Sequence, residues 1–233
     1  MTTHAQADLW SGLVRVPFDH DALVGDLVMP GDPQGLVVFA HGSGSSRMSP
    51  RNQAVAAALH SRGFATLLID LLTPSEEALD ERTAEHRFDM PLLADRVVAI
   101  LDWVDKQPAI AGFPIGLFGA STGGGAALVA AARRHLRVAA VVSRGGRPDL
   151  AGAALAQVKA PTLLVVGGHD DVVIEVNREA MARMTGTVVL DVVPGATHLF
   201  GEPGALERVA EAAGDWFQRF VIGARVPHPR PHV

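Results

Sequence analysis

Residues Ile115–Ala132 read IGLFGASTGGGAALVAAA, and no other stretch narrows the fold so far. An apolar run stops at Gly119-Ala120-Ser121-Thr122-Gly123, and an alanine-rich segment follows. A strand, a very tight turn and a helix are predicted, with one serine at the tip. Such a turn forces the serine into a strained backbone conformation, and a Cβ at either flanking glycine would collide with the neighbouring strand or helix. The strain lifts the Ser121 hydroxyl clear of the sheet, over the positive end of the helix.

The rest of the chain repeats strand and helix signals around this unit. Leu13–Phe18 and Ala22–Met29 read as an antiparallel pair of short strands. Gly35–Ala40 and Phe64–Leu72 are continuous apolar runs, as expected of strands buried on both faces. Ser49 caps a helix over Pro50–Arg62, with proline at the first helical position. Thr73–Met90 is polar and reads as irregular. Pro91–Lys106, Gly124–Arg134, Ile174–Met184 and Ala205–Val221 read as helices, and Ile115–Phe118, Val138–Val142, Thr162–Val166 and Val188–Val193 as strands. This is the pattern of an α/β fold, a mostly parallel sheet with helices on both faces. The 233 residues suit a single domain over 1–233, with 226–233 as a flexible tail.

Composition removes several classes of function. A net charge of −5 without a basic cluster argues against nucleic acid and membrane as partners. The absence of cysteine excludes thiolate catalysis and thiolate metal sites. The ten histidines show no HExxH or i, i+4 ligand spacing, so neither a metal nor another cofactor is expected. MTTHAQADLW shows no basic segment followed by an apolar run, and no apolar stretch is long enough to span a bilayer. A cytoplasmic location is therefore expected, and assembly as a homodimer is left open.

Ligands of such sheets bind beyond the carboxyl ends of the strands. There the chain carries His41-Gly42-Ser43-Gly44-Ser45-Ser46-Arg47, then Ser121, then Gly167-Gly168-His169-Asp170-Asp171, then Pro194-Gly195-Ala196-Thr197-His198. Serine, acid and histidine follow one another in the chain order of the α/β-hydrolase arrangement. An imidazole near neutral pH is the base that a serine nucleophile needs, and His198 follows a strand at the expected place. Asp170 and Asp171 compete as the carboxylate that would hold the imidazole tautomer. His41 reads as a loop-shaping residue and His169 as structural. The HGSGSS loop lacks the lysine of a P-loop, so nucleotide binding is not expected.

The chain resembles the α/β-hydrolase superfamily over roughly Gly35 to Phe220, and its size and lack of a large insertion look like the dienelactone hydrolase-like group. The loop HGSGSSRMSPRN resembles the hydrolase portion of proteins that fuse a phosphoribosyltransferase to such a domain. That portion is expected to stand alone here. Dienelactone hydrolases use a cysteine nucleophile, and this chain has Ser121 in its place. The pattern Gly167-x-x-Asp170-x-x-Val173 resembles the family's acid loop, which favours Asp170.

The resemblance implies a serine hydrolase of carboxylic esters or lactones, acting on a small-molecule ester through an acyl-enzyme with Ser121, Asp170 and His198. The Ser43 and Thr122 amides would form the oxyanion hole, and their side chains are expected to contribute little because the backbone does the work. Arg47 and Arg144 are the candidates for holding an anionic group of the substrate, with Arg51 and Arg147 nearby. The segment between Ser143 and Lys159 is too short for a full cap, so Thr73–Met90 is left to shade the site. Thioesterase, amidase and acyltransferase chemistry use the same parts. A non-catalytic ligand-binding or scaffold protein on this fold is the alternative from another class.

Overall fold

The computed structural model describes residues 9–18 and 20–223, so the expected tail at 226–233 lies outside the described residues. The strands are β1 (Trp10–Phe18), β2 (Asp21–Met29), β3 (Gly35–Ala40), β4 (Phe64–Ile69), β5 (Ile115–Ala120), β6 (Val138–Arg144), β7 (Thr162–Gly167) and β8 (Val188–Val193). The helices are α1 (Pro50–His60), α2 (Pro74–Thr83), α3 (Met90–Val104), α4 (Thr122–Arg133), α5 (Asp171–Arg183) and α6 (Ala205–Phe217). The strands form one eight-stranded sheet in the order β1-β2-β4-β3-β5-β6-β7-β8. Only β2 runs against the others, pairing antiparallel with β1 and with β4.

Alternation along the strands builds two cores at once. In β3, Leu36 and Val38 face a layer made by α3 and α4 with Leu93, Val97 and Leu128. Val37 and Phe39 face the other layer, where α1 and α6 supply Val55, Leu59, Val209 and Phe217. Both faces being covered, β3, β4, β5 and β7 are buried at every position, which is why they read as unbroken apolar runs.

The reading of Thr73–Met90 as irregular is corrected by α2. Thr73 accepts from the Glu76 amide while the Glu76 carboxylate accepts from the Thr73 amide, and Pro74 occupies the first turn. This capping box satisfies two orphan helix donors reciprocally. The helix carries no apolar stripe because its one buried residue is Asp80. A 3-10 segment over Pro148–Gln157 is likewise absent from the sequence reading.

Register sets the site. Ala40 pairs with Gly119 and Ala120 with Arg144, so β3, β5 and β6 end in line. The residues that follow them, His41, Ser121 and Gly145, emerge at one rim. Among the described residues no helix is long and apolar enough to cross a membrane.

Candidate active site

Ser121 is the N-cap of α4 and has φ 51° and ψ −123°, a conformation that side chains other than glycine rarely adopt. Its amide donates to the Arg144 carbonyl (3.2 Å), and its own carbonyl accepts from the Gly124 and Arg147 amides. The backbone is thus held from both flanks, and Oγ makes no capping hydrogen bond to the helix. A Cβ on Gly123 would lie 2.2 Å from the Ala40 carbonyl oxygen, and one on Gly119 would lie 2.5 Å from Gly124 Cα. The turn closes only because both positions lack one.

The β8–α6 loop carries His198. Thr197 is pinned by Glu202, whose carboxylate accepts from the Thr197 hydroxyl (2.6 Å) and amide (3.1 Å). Those two donors hold the Glu202 carboxyl below its ordinary range. The imidazole Nδ1 lies 2.6 Å from Asp170 Oδ2. With Nδ1–H donating to the carboxylate, Nε2 is left as the basic nitrogen. Asp171, the other acid considered, is exposed in the first turn of α5. Gly145 separates the two halves: a Cβ there would stand 3.4 Å from His198 Nδ1, while the preceding carbonyl holds the Ser121 amide. Asn177, buried on α5, donates to the Gly146 carbonyl and fixes this separator. Among the described residues His198 and Ser121 Oγ form no direct hydrogen bond, and the hydrogen-bonding partner of the His198 ring is Asp170.

The loop after β3 passes directly over the serine. A Cβ on Gly42 would come within 2.9 Å of Ser121 Cβ. His41 shapes this loop, as its position suggested. Leu71 N–H donates to Nε2, so Nδ1 carries the proton and donates to the Gly42 carbonyl. Burial pushes the His41 imidazole below its ordinary range and keeps it neutral.

The Ser43 amide donates to Thr122 Oγ1 at 2.9 Å. This corrects the expectation that the side chains here contribute little. The Thr122 hydroxyl ties together the two backbone segments that carry the candidate oxyanion donors, and it occupies one of those donors. Sequence reasoning weighed only the amides, and nothing in the local sequence signals a bond between residues so far apart in the chain.

The arginines separate cleanly. Arg47 is a correction: its Nη1 donates to Asp70 (2.8 Å), its amide to the same carboxylate (2.7 Å), and Nε lies 3.1 Å from Asp26 without hydrogen-bond alignment. Its charge is neutralised within the fold and is not left for a ligand. Arg147 is bidentate on Asp149. Arg144 is 7% exposed, reaches only Asn52 Oδ1 (3.4 Å) and stands 5.8 Å from the Phe200 ring. Burial, then repulsion from Arg51, brings its pKa down to about 10. Arg87, which the sequence reading passed over, lines a cleft with Ser43, Thr122, Glu77 and Asp80, and its guanidinium is held by buried Asp80. The polar segment around α2 therefore flanks the rim.

Comparisons with known proteins agree with this architecture. The model of the dienelactone hydrolase family matches residues 23–222, and the chain belongs to that family. A dienelactone hydrolase from Anabaena variabilis ATCC 29413 has a crystal structure with 54% identity and a TM-score of 0.90, covering 91% of this chain and 99% of that one. Est1E from Butyrivibrio proteoclasticus shares the fold, with a TM-score of 0.75 at 19% identity over 89% of this chain and 98% of that one. A Mycobacterium tuberculosis protein named as a phosphoribosyl transferase is 59% identical over 201 residues, 86% of this chain and 44% of that protein. The chain thus spans less than half the length of the curated relatives it matches.

Proposed function

We propose that this chain is a serine hydrolase of carboxylic esters or lactones, working through an acyl-enzyme. The observation that carries the reading is the 2.6 Å bond from His198 Nδ1 to Asp170, in loops that follow strands of the same sheet as the one ending in a serine held at φ 51°. An imidazole that donates its Nδ1–H to this carboxylate presents Nε2 as general base. A strained elbow presents a hydroxyl that has no structural duty. The names carried by the Anabaena variabilis and Butyrivibrio proteoclasticus proteins point the same way.

In this mechanism Ser121 Oγ attacks the ester carbonyl as its proton passes to His198 Nε2. The Asp170 carboxylate stabilises the resulting imidazolium. The carbonyl oxygen becomes an oxyanion and accepts from the Thr122 and Ser43 amides, the latter released from Thr122 Oγ1 or shared with it. The tetrahedral intermediate collapses, the imidazolium protonates the departing alkoxide, and the acyl group stays on Ser121. Water then repeats the sequence with His198 as base, releasing the acid. Each well-placed oxyanion donor lowers the barrier by about 3–4 kcal/mol in comparable sites. In a lactone the departing alkoxide belongs to the same molecule as the acid, so one product leaves.

The test is covalent labelling with a fluorophosphonate, followed by peptide mapping, alongside turnover of p-nitrophenyl acetate. Label on Ser121 and loss of both label and turnover in a folded Ser121→Ala variant are expected. Turnover retained in that variant, or an unlabelled wild-type chain, would overturn the proposal and favour a ligand-binding protein on this fold.

A further inference from the structure

Thr122 carries a hydroxyl whose hydrogen is unspent. Its Oγ1 accepts from the Ser43 amide, and among the described residues no acceptor takes its own O–H. The residue is more than nine-tenths buried, so solvent is largely excluded from it. A buried donor without a partner is costly, and native folds keep few of them. Other buried threonines follow that rule. The Thr162 hydroxyl donates to the Ala160 carbonyl at 3.0 Å, and the Thr66 hydroxyl meets His60 Nε2 at 2.7 Å.

The place of this hydroxyl gives the spare hydrogen a use. Oγ1 belongs to the same residue as one candidate oxyanion amide and is bonded to the other. Both amides flank the serine. Thr122 follows it in the chain, and the loop that carries Ser43 crosses over it, so that a Cβ on Gly42 would stand 3.6 Å from Ser121 Oγ. Ser43 and Thr122 line one cleft. Helix α4 begins at Thr122, has no acidic residue in its first turn, and turns its positive end to the same place.

We infer that the Thr122 hydroxyl is itself an oxyanion donor, keeping its bond from the Ser43 amide while its hydrogen turns onto the developing negative oxygen. The inference rests on the hydrolase reading and adds a catalytic group to it. As Ser121 Oγ adds to the ester carbonyl, the π electrons pass to the carbonyl oxygen, which then accepts from the Thr122 amide and the Thr122 O–H. The hydroxyl keeps its proton, and the contact lapses when the carbonyl re-forms and the alkoxide departs. A Ser43 N–H donating to Oγ1 polarises the O–H and strengthens its own donation. The Ser43 amide thus contributes through the hydroxyl without first being released from it. A hydroxyl present only to tie the Ser43 loop to α4 would account for the accepted bond but not for the unspent hydrogen.

Thr122→Val keeps the side-chain shape and removes the hydroxyl, whereas Thr122→Ser retains it. With p-nitrophenyl acetate, Thr122→Val is expected to lose roughly 100-fold in kcat with KM within about threefold, and Thr122→Ser to stay within about tenfold of wild type. Trifluoroacetophenone, whose adduct on Ser121 carries the same oxyanion, should lose affinity for Thr122→Val by the factor lost in kcat/KM. A crystal structure of the wild-type chain with that ketone bound should place Thr122 Oγ1 within about 3 Å of the oxyanion. This last measurement needs no variant, so it decides the matter even if Thr122→Val fails to fold. An Oγ1 beyond hydrogen-bonding reach of the oxyanion, an unchanged or raised kcat in folded Thr122→Val, or an unchanged ketone affinity would refute the inference and leave the hydrolase reading intact. A wild-type chain that neither turns over the ester nor forms the ketone adduct would bring down the hydrolase reading, and the inference with it.

Discussion

Gly123→Ala tests the geometry on which the candidate site depends. The added Cβ would stand 2.2 Å from the Ala40 carbonyl oxygen and 2.4 Å from that of His41. Ordinary contact begins more than an ångström farther out, and both obstacles are backbone atoms that no rotamer change can move. Either the elbow or the end of β3 must shift by about 1 Å, a displacement that costs of the order of 100-fold in rate when it misplaces reacting groups. The Ser43 donor lies two residues past His41, so the shift falls directly on the oxyanion site. Overpacking of this kind costs about 1–3 kcal/mol and sometimes more. For a chain of this size that lowers Tm by about 2–12 °C. Gly201→Ala is the control, because nothing lies within 4 Å of its added Cβ. Thermal unfolding and p-nitrophenyl acetate kinetics would be run on both variants. A Gly123→Ala variant with wild-type Tm and wild-type kcat would refute the claim that the β3 loop and the elbow are locked together by close backbone approach.

Two further outcomes follow from the His198 loop. Asp170→Asn should cut kcat by about 10³–10⁴-fold, since an amide in that place favours the wrong imidazole tautomer, whereas Asp171→Asn should leave it nearly unchanged; equal and mild effects in steady-state kinetics would detach Asp170 from the imidazole. Glu202→Gln should loosen Thr197 and lower Tm at neutral pH. The Glu202 carboxyl is depressed by its Thr197 bonds, so its contribution is present above the ordinary glutamate value of 4.5 and fades as pH falls through the lower folded-state value. The Tm difference between wild type and variant should therefore shrink below pH 4.5 in an acid titration, and a difference that grows instead would reverse the assignment.

Much of the molecule is written in local patterns. Gly35–Ala40 and Thr162–Val166 lie between helices on both faces, and only continuous apolar sequence survives that burial. Gly119 and Gly123 are legible because a strand that turns into a helix within so few residues leaves no room for a Cβ. Helix α2 was missed because it faces inward through Asp80 and is held by Arg87 and the capping box rather than by an apolar stripe. The signal was nonetheless present in Thr73-Pro74-Ser75-Glu76.

What sequence by itself determined is the alternation of strands and helices, the elbow, and the set of chemical groups delivered to one rim. Those depend on periodicity and backbone sterics, which act over a few residues. Pairing belongs to the tertiary structure alone. His198 meets Asp170 rather than its neighbour, Thr122 captures the Ser43 amide, and Arg47 is consumed by Asp70 and Asp26 while Arg144 is left without an anion. Hydrogen bonds and ion pairs act over a few ångströms between residues many positions apart, so their partners are fixed only when the sheet brings the loops together.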